Sequence, residues 1–202
     1  MTISKPNSTL QNMNLTYAKY AQQNRTLIDR NDCVLIVIDI QDKLIPFIAQ
    51  REKMIGNVIK LIKFCKIIGI PIILTEQEKL GDTVGVLRTE LRDNTPIRKF
   101  CYSCFECDEF VEKLKAIGRK TLIITGMETH ICVAQTACHA MPDFLVHIVQ
   151  DAVSSRFPEN SVVGINRLRA AGAVISSTEM VIFELLRRAG TDEFRATLPL
   201  VR

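Results

Sequence analysis

Three residues of this 202-residue chain are of the right types to run covalent chemistry together: Asp39, Lys99 and Cys132. Cys132 follows the apolar run "KTLIIT" and the glycine of "TGMETHICV", and from Ile131 onward Val133, Thr136, Ala137 and Ala140 recur at helical spacing. It therefore stands near a helix N-terminus. A thiol attacks as its thiolate, and a helix dipole with a nearby ammonium is expected to draw its pKa down toward neutrality. A carboxylate such as Asp39 can accept the thiol proton while Lys99 holds both charges in place. Backbone N–H groups at the same helix start can stabilise an oxyanion. Taken singly, each residue has an ordinary explanation, since strand-end aspartate is common, lysine is mostly solvated and cysteine is often buried. Only their joint placement gives them weight.

That placement depends on the elements around them. "CVLIVIDI" (33–40) reads as a strand, followed by a helix over about 52–68 and a second strand, "IPIILTE" (70–76). A loop with Gly81 and Gly85 leads to a short extended piece ending near "IRKF" and a helix over about 107–117. Then come "KTLIIT" (120–125), the helix from about 131, "FLVHIVQD" (144–151), a helix over about 159–171, "AVISS" (173–177) and a last helix over about 178–188. Nearly continuous apolar strands alternating with amphipathic helices predict a parallel sheet buried on both faces, because right-handed crossovers put helices there. The expected fold class is α/β, a three-layer α-β-α sandwich with a Rossmann-like parallel sheet flanked by helices. No repeat or linker interrupts residues 31–202, which read as one domain behind an N-terminal arm, 1–30. In such sheets ligands bind outside the C-terminal strand ends, where Asp39, Glu76, Lys99 and Cys132 all fall.

Composition excludes some functions. With 47% hydrophobic and 24% charged residues the chain carries enough apolar material for a full core. No run reaches the roughly 18 apolar residues of a membrane span, so no membrane partner is expected. The net charge of +4 is uneven: Lys5, Lys19, Arg25 and Arg30 against Asp29 put three of the four charges in the first 30 residues. The near-neutral body argues against nucleic acid as a partner. The arm has two readings. Leu10, Met13, Tyr17 and Tyr20 at helical spacing suit a packed segment, and its lack of acids also suits an organelle transit peptide. A cytoplasmic protein is expected, with mitochondrial as the alternative. Seven cysteines indicate a reducing compartment, with Cys33, Cys65 and Cys138 in apolar or helical patterns that suit core thiols. Cys101, Cys104 and Cys107 in "CYSCFEC" are spaced like part of a ferredoxin run, but position 111 is Val and neither an iron–sulfur cluster nor zinc finds its fourth ligand. No metal and no cofactor is expected. A reversible disulfide between Cys132 and Cys101 or Cys104 is a separate reading of the same cluster.

"LIVIDIQDKL", "IRKFCYSCF" and "TLIITGMETHICVAQTACHA" resemble the three signature regions of the isochorismatase-like cysteine hydrolases, in order and in separation. The resemblance runs from about residue 30 to the C-terminus and takes in "DAVSSR" and "STEMVIFELLRR". It implies that Asp39, Lys99 and Cys132 are the family's triad. It also implies a cis peptide at Met127–Glu128 and an oxyanion hole made by the N–H groups of Glu128 and Cys132. The nicotinamidase branch binds a metal through histidines after strand two, whereas "TEQEKLGDTVG" has none, so neither that metal nor nicotinamide is implied. Isochorismatase itself works without the cysteine, which aligns Cys132 with the amide-hydrolysing branch and its small, cofactor-free members. The implied activity is hydrolysis of a C–N bond of a small amide-like substrate through a thioester, in a homo-oligomer. The alternative is a binding or scaffold protein that kept the fold and lost turnover. Near the triad, Gln41 is expected either to orient Asp39 or substrate, or to bind loop backbone. Glu76 and Gln77 are expected to line the pocket, with a purely structural strand-end role as the other reading of Glu76.

Overall fold

Each apolar run of the sequence becomes a strand in the computed structural model, which describes residues 27–201. The strands are β1 (Cys33–Ile38), β2 (Ile72–Gln77), β3 (Ile97–Lys99), β4 (Thr121–Met127), β5 (Leu145–Ser154) and β6 (Val174–Ser176). They form one sheet in the order β3-β2-β1-β4-β5-β6, and every pairing is parallel. All six residues of β1 are buried, with Cys33, Leu35 and Val37 packed into one core and Val34, Ile36 and Ile38 into the other. A strand covered on both faces needs apolar side chains at every position, which is why the run is continuous rather than alternating.

The helices are α1 (Arg51–Ile68), α2 (Gly85–Glu90), α3 (Asp108–Ile117), α4 (Ala134–Ala140), α5 (Pro158–Ala170), α6 (Thr178–Leu186) and α7 (Asp192–Val201). The first core takes Met54, Val58 and Leu61 from α1, Leu87 from α2, Val181 and Leu185 from α6, and Leu200 from α7. The second takes Phe110 and Leu114 from α3, Ala137 from α4, and Ile165 and Leu168 from α5. The result is the expected three-layer sandwich. Helices α2 and α7 are additions to the sequence reading. Helix α7 starts where Thr191 Oγ1 accepts from the Phe194 N–H at 3.0 Å, and Arg30 anchors it by a two-pronged bond to Glu193 at 2.9 and 2.8 Å.

Ile28 is already fully buried, its N–H donating to Glu184 of α6 at 3.2 Å, so packing begins before residue 31. The remainder of the arm, including Leu10, Met13, Tyr17 and Tyr20, lies outside the described residues. No helix among the described residues is long and apolar enough to cross a membrane. The chain winds outward through β2 and β3, then returns to place β4 on the other side of β1. That reversal makes the C-terminal ends of β1 and β4 the switch point of the sheet, the place where sheets of this topology bind ligands.

One core residue carries a pH signature. His147 on β5 is fully buried, its Nδ1 lies 3.5 Å from Ser176 Oγ, and its Nε2 has no partner. Burial pushes its pKa down from 6.5 to about 4. The folded chain therefore keeps His147 neutral where the unfolded chain protonates it, so stability is intact above about pH 6.5 and declines as pH falls toward 4. His147→Leu is expected to flatten that decline by on the order of 3 kcal/mol at pH 4. Urea unfolding of both proteins from pH 7 to 4 checks this, and parallel curves would count against it.

Candidate active site

Asp39 is the first residue beyond β1. It adopts a left-handed backbone (φ 53°), and its N–H donates to Thr75 O on β2 at 3.2 Å. Lys99 closes β3, two strands away, and its four-carbon stem brings the ammonium to Asp39 Oδ2 at 2.6 Å. Both residues are sealed from water, at 1% and 2% exposure. A buried ion pair survives only if its remaining polar capacity is also met. Here Thr75 Oγ1 donates to Asp39 Oδ1 at 2.7 Å, and the Lys99 ammonium also donates to Gln77 Oε1 at 2.8 Å and to Cys101 O at 3.3 Å.

Cys132 reaches the same place from β4. The strand runs to Met127, the Met127–Glu128 peptide is cis, and Thr129–Val133 wind as a single π-helical turn before α4 begins. The Val133 N–H donates to Glu128 O, five residues back, at 3.2 Å. Helix α5 backs this turn closely: a Cβ on Gly164 would stand 3.2 Å from His130 Cα, and Ser161 Oγ donates to Thr129 Oγ1 at 3.0 Å. Arg156 holds the Glu128 carboxylate through its backbone N–H at 3.0 Å and its Nε at 3.2 Å. Cys132 thus lies within a π turn rather than in the first turn of an α-helix.

This changes the electrostatics expected for the thiol. Burial pushes the Cys132 pKa up, the Asp39 carboxylate raises it further, Lys99 pulls it down, and the hydrogen bond accepted by Asp39 favours the protonated sulfur again. The ordinary helix-start argument predicts the opposite direction. It fails because Cys132 is only 7% exposed and the ammonium is already paired to a carboxylate that faces the same thiol. For Lys99, burial opposes the charge most, yet Asp39, with Cys132 and Cys104, holds its pKa above the usual lysine value. The resting site is a neutral thiol beside a carboxylate and an ammonium.

Gln41 is fully buried and engaged with backbone: its Nε2 donates to Gln77 O at 2.9 Å and Gly81 O at 2.6 Å, and its Oε1 accepts from the Gln77 N–H at 2.8 Å. This is the loop-binding reading of that amide. Glu76 Oε1 accepts from the Thr83 N–H at 2.8 Å and from Thr83 Oγ1 at 2.7 Å, with Arg98 Nε 3.5 Å from Oε2, which is the structural reading. Gln77 does meet the Asp39–Lys99 pair, since it bonds Lys99 and donates to Phe100 O at 2.7 Å. Thr75 is the residue that sequence reasoning missed. Its signal was the two-residue strand period, which puts Thr75 and Gln77 on one face of β2 and Glu76 on the other.

The description "Isochorismatase domain" matches residues 33–180, from the first residue of β1 into α6. The chain belongs to the isochorismatase family. Isochorismatase family protein 1A of Dictyostelium discoideum is 33% identical over 177 residues, which cover 84% of this chain and 86% of that one. The MAR1 ribonuclease of Caenorhabditis elegans superposes with a TM-score of 0.80 at 32% identity, covering 87% and 92% of the two chains. YcaC of Escherichia coli, described as an octameric hydrolase of unknown specificity, superposes with a TM-score of 0.81 at 28% identity, covering 86% and 88%.

In this isochorismatase-family chain all seven cysteines are free. Cys104 is buried, and its thiol is pushed up to about 12 by burial and then by Asp39. Cys101 and Cys107 are half-buried, and among the described residues no three His, Cys, Asp or Glu side chains are grouped to hold a metal ion. A cleft of ≈ 340 Å³ opens between the start of α1, the end of β5 and α5, lined by Lys53, Asp151, Ser161 and Arg169. It contains none of Asp39, Lys99 and Cys132, and its surface position makes it a weaker candidate than the buried Asp39–Lys99 pair.

Proposed function

We propose that this isochorismatase-family chain hydrolyses a carbon–nitrogen bond of a small amide-like substrate through a thioester on Cys132. The observation that carries the reading is the buried 2.6 Å Lys99–Asp39 pair whose carboxylate faces the Cys132 thiol. A neutral thiol cannot attack unaided, so Asp39 takes its proton as the sulfur bonds to the carbonyl carbon. The oxyanion is received by the N–H groups of Glu128 and Cys132. When the tetrahedral adduct collapses, the C–N bond breaks and Asp39 passes the proton to the departing nitrogen, leaving an acylated sulfur. Asp39 then deprotonates a water that attacks the thioester carbonyl, and the proton returns to the sulfur as the acid leaves. Lys99 keeps Asp39 anionic between steps and holds its position. Gln77 in turn orients the Lys99 ammonium.

Assembly as a homo-oligomer belongs to the same proposal and is supported by the octameric description of YcaC. The ribonuclease named among the relatives suggests a second reading, but residues 31–202 hold only one of the four net positive charges, and phosphate binding requires concentrated cations.

A panel of small primary amides tests the proposal. Wild type is expected to turn over one member and to yield a hydroxamate when hydroxylamine traps the thioester. Cys132→Ala is expected to lose at least about 10⁴-fold in kcat/KM while melting close to wild type. Turnover that survives in Cys132→Ala would overturn the mechanism. A wild type silent on the whole panel would favour the binding or scaffold alternative.

A further inference from the structure

We infer that Thr75 is a positioning residue of this site: its hydroxyl, bonded to Asp39 Oδ1, sets the plane of the carboxylate so that Oδ2 meets Lys99 and a free lone pair meets the Cys132 thiol. The inference rests on the hydrolase reading above for its catalytic meaning, and on hydrogen-bond geometry for its substance.

An ionised carboxylate has two oxygens and about four lone-pair directions, and it can rotate about the bond to its Cβ. One contact does not stop that rotation. The ammonium at 2.6 Å fixes Oδ2, and the Thr75 hydroxyl at 2.7 Å fixes Oδ1, so the two donors together define the plane. Thr75 is itself rigid. It is fully buried and lies in register with Ile38 of β1 and Ile97 of β3, while its carbonyl accepts the Asp39 N–H at 3.2 Å. It therefore holds Asp39 by backbone and by side chain. Branching at Cβ limits the χ1 choices of threonine in a strand, which aims the hydroxyl.

A hydroxyl has a single hydrogen, and the direction of that hydrogen decides whether it donates to Asp39. Cys104 is a neighbour of Thr75 and of Thr136, whose Oγ1 accepts the Cys104 N–H at 3.0 Å. An ionised carboxylate can only accept, so the Thr75 hydrogen points to Asp39 Oδ1. The titratable groups facing Asp39 are then Lys99 from β3, Cys104 from the loop after β3 and Cys132 from the π turn. Thr75 is the neutral donor among them.

A hydrogen bond to the charged form of an acid favours that form, so without the Thr75 donor the site is expected to need a higher pH before it takes the Cys132 proton. The test compares wild type, Thr75→Val, Thr75→Ala and Thr75→Ser. The rate of Cys132 alkylation by iodoacetamide is followed from pH 4 to 9 by peptide mass spectrometry, alongside kcat/KM on the amide found above. In Thr75→Val the acid limb of both profiles is expected to move up by about one pH unit, with kcat rather than KM carrying the loss. Thr75→Ser is expected to keep the wild-type limb. If Thr75→Val does not fold, Thr75→Ala carries the same expectation. An acid limb that stays in place in the hydroxyl-free variants, whatever their melting temperature, assigns Thr75 a packing role and overturns the inference. Because alkylation needs no substrate, a wild type without amide turnover sinks the hydrolase reading while the position of the limb still decides this one.

Discussion

Replacing Lys99 by methionine is expected to abolish turnover and to cost about 3–5 kcal/mol of stability at neutral pH. Both ends of the ion pair are inaccessible, with the Lys99 and Asp39 side chains at 0% and 1% exposure. Without the ammonium, Asp39 would remain a buried carboxylate with Thr75 as its side-chain donor, and an uncompensated charge in low dielectric is among the most expensive defects a core can carry. The cost should shrink as pH falls, because protonating Asp39 removes the unpaired charge. The Cys132 thiol would at the same time lose Lys99, which pulls its pKa down, so its alkylation should require a higher pH than in wild type. Adding Asp39→Asn to Lys99→Met leaves no charge to strand and should restore most of the stability, but none of the activity. Urea unfolding of wild type, Lys99→Met, Asp39→Asn and the double variant at pH 5 and pH 8 gives the coupling directly. A Lys99→Met variant as stable as wild type, with Cys132 alkylating along the same pH curve, would show that the pair is not electrostatically coupled to the thiol.

Gly126→Ala should act through sterics alone and with comparable force. Gly126 pairs with Ile38 in the β1–β4 ladder, and a Cβ there would stand 2.1 Å from Ile38 O and 2.7 Å from Ile38 N. Its φ of +111° is also one that side-chain-bearing residues rarely adopt. No rotamer relieves a clash between a Cβ and backbone, so the two central strands must separate where one delivers Asp39 and the other leads into the Cys132 turn. A destabilisation on the order of 4–5 kcal/mol is expected, at the far end of what single substitutions do. It should appear as insoluble protein or as a thermal transition lowered by more than about 10 °C. A Gly126→Ala protein that melts like wild type would mean that β1 and β4 are not as closely apposed as the structure has them.

Both predictions act on a framework that was largely readable in advance. The runs at 33–40 and 120–125 read as strands because burial on two faces demands uninterrupted apolar residues, and the helices over 52–68 and 107–117 read from their apolar period. Strand ends were less legible. Cys33–Ile38 stops two residues short of the apolar run, because Asp39 turns left-handed and bonds to β2. Helix α2 is six residues long and α7 contains Pro199, so neither offers a sustained period. Gln41 and Glu76 show another limit. Polar types near a strand end are visible in sequence, but whether they face a pocket or tie down a loop depends on where the 77–83 segment folds back.

Residue types and their periodicity are enough for the succession of strands and helices along the chain, the place of Asp39, Lys99 and Cys132 at strand or turn ends, and the signature segments that mark the family. These follow from side-chain periodicity and residue type, which are local. That Lys99 reaches across two strands to Asp39, that Thr75 shares the carboxylate, and that the Cys132 thiol rests protonated come from the folded arrangement. Those are through-space quantities. A helix start and a lysine argue for a thiolate when considered alone, but burial and a facing carboxylate outweigh them, and both arise only when distant segments of the chain enclose the same few ångströms.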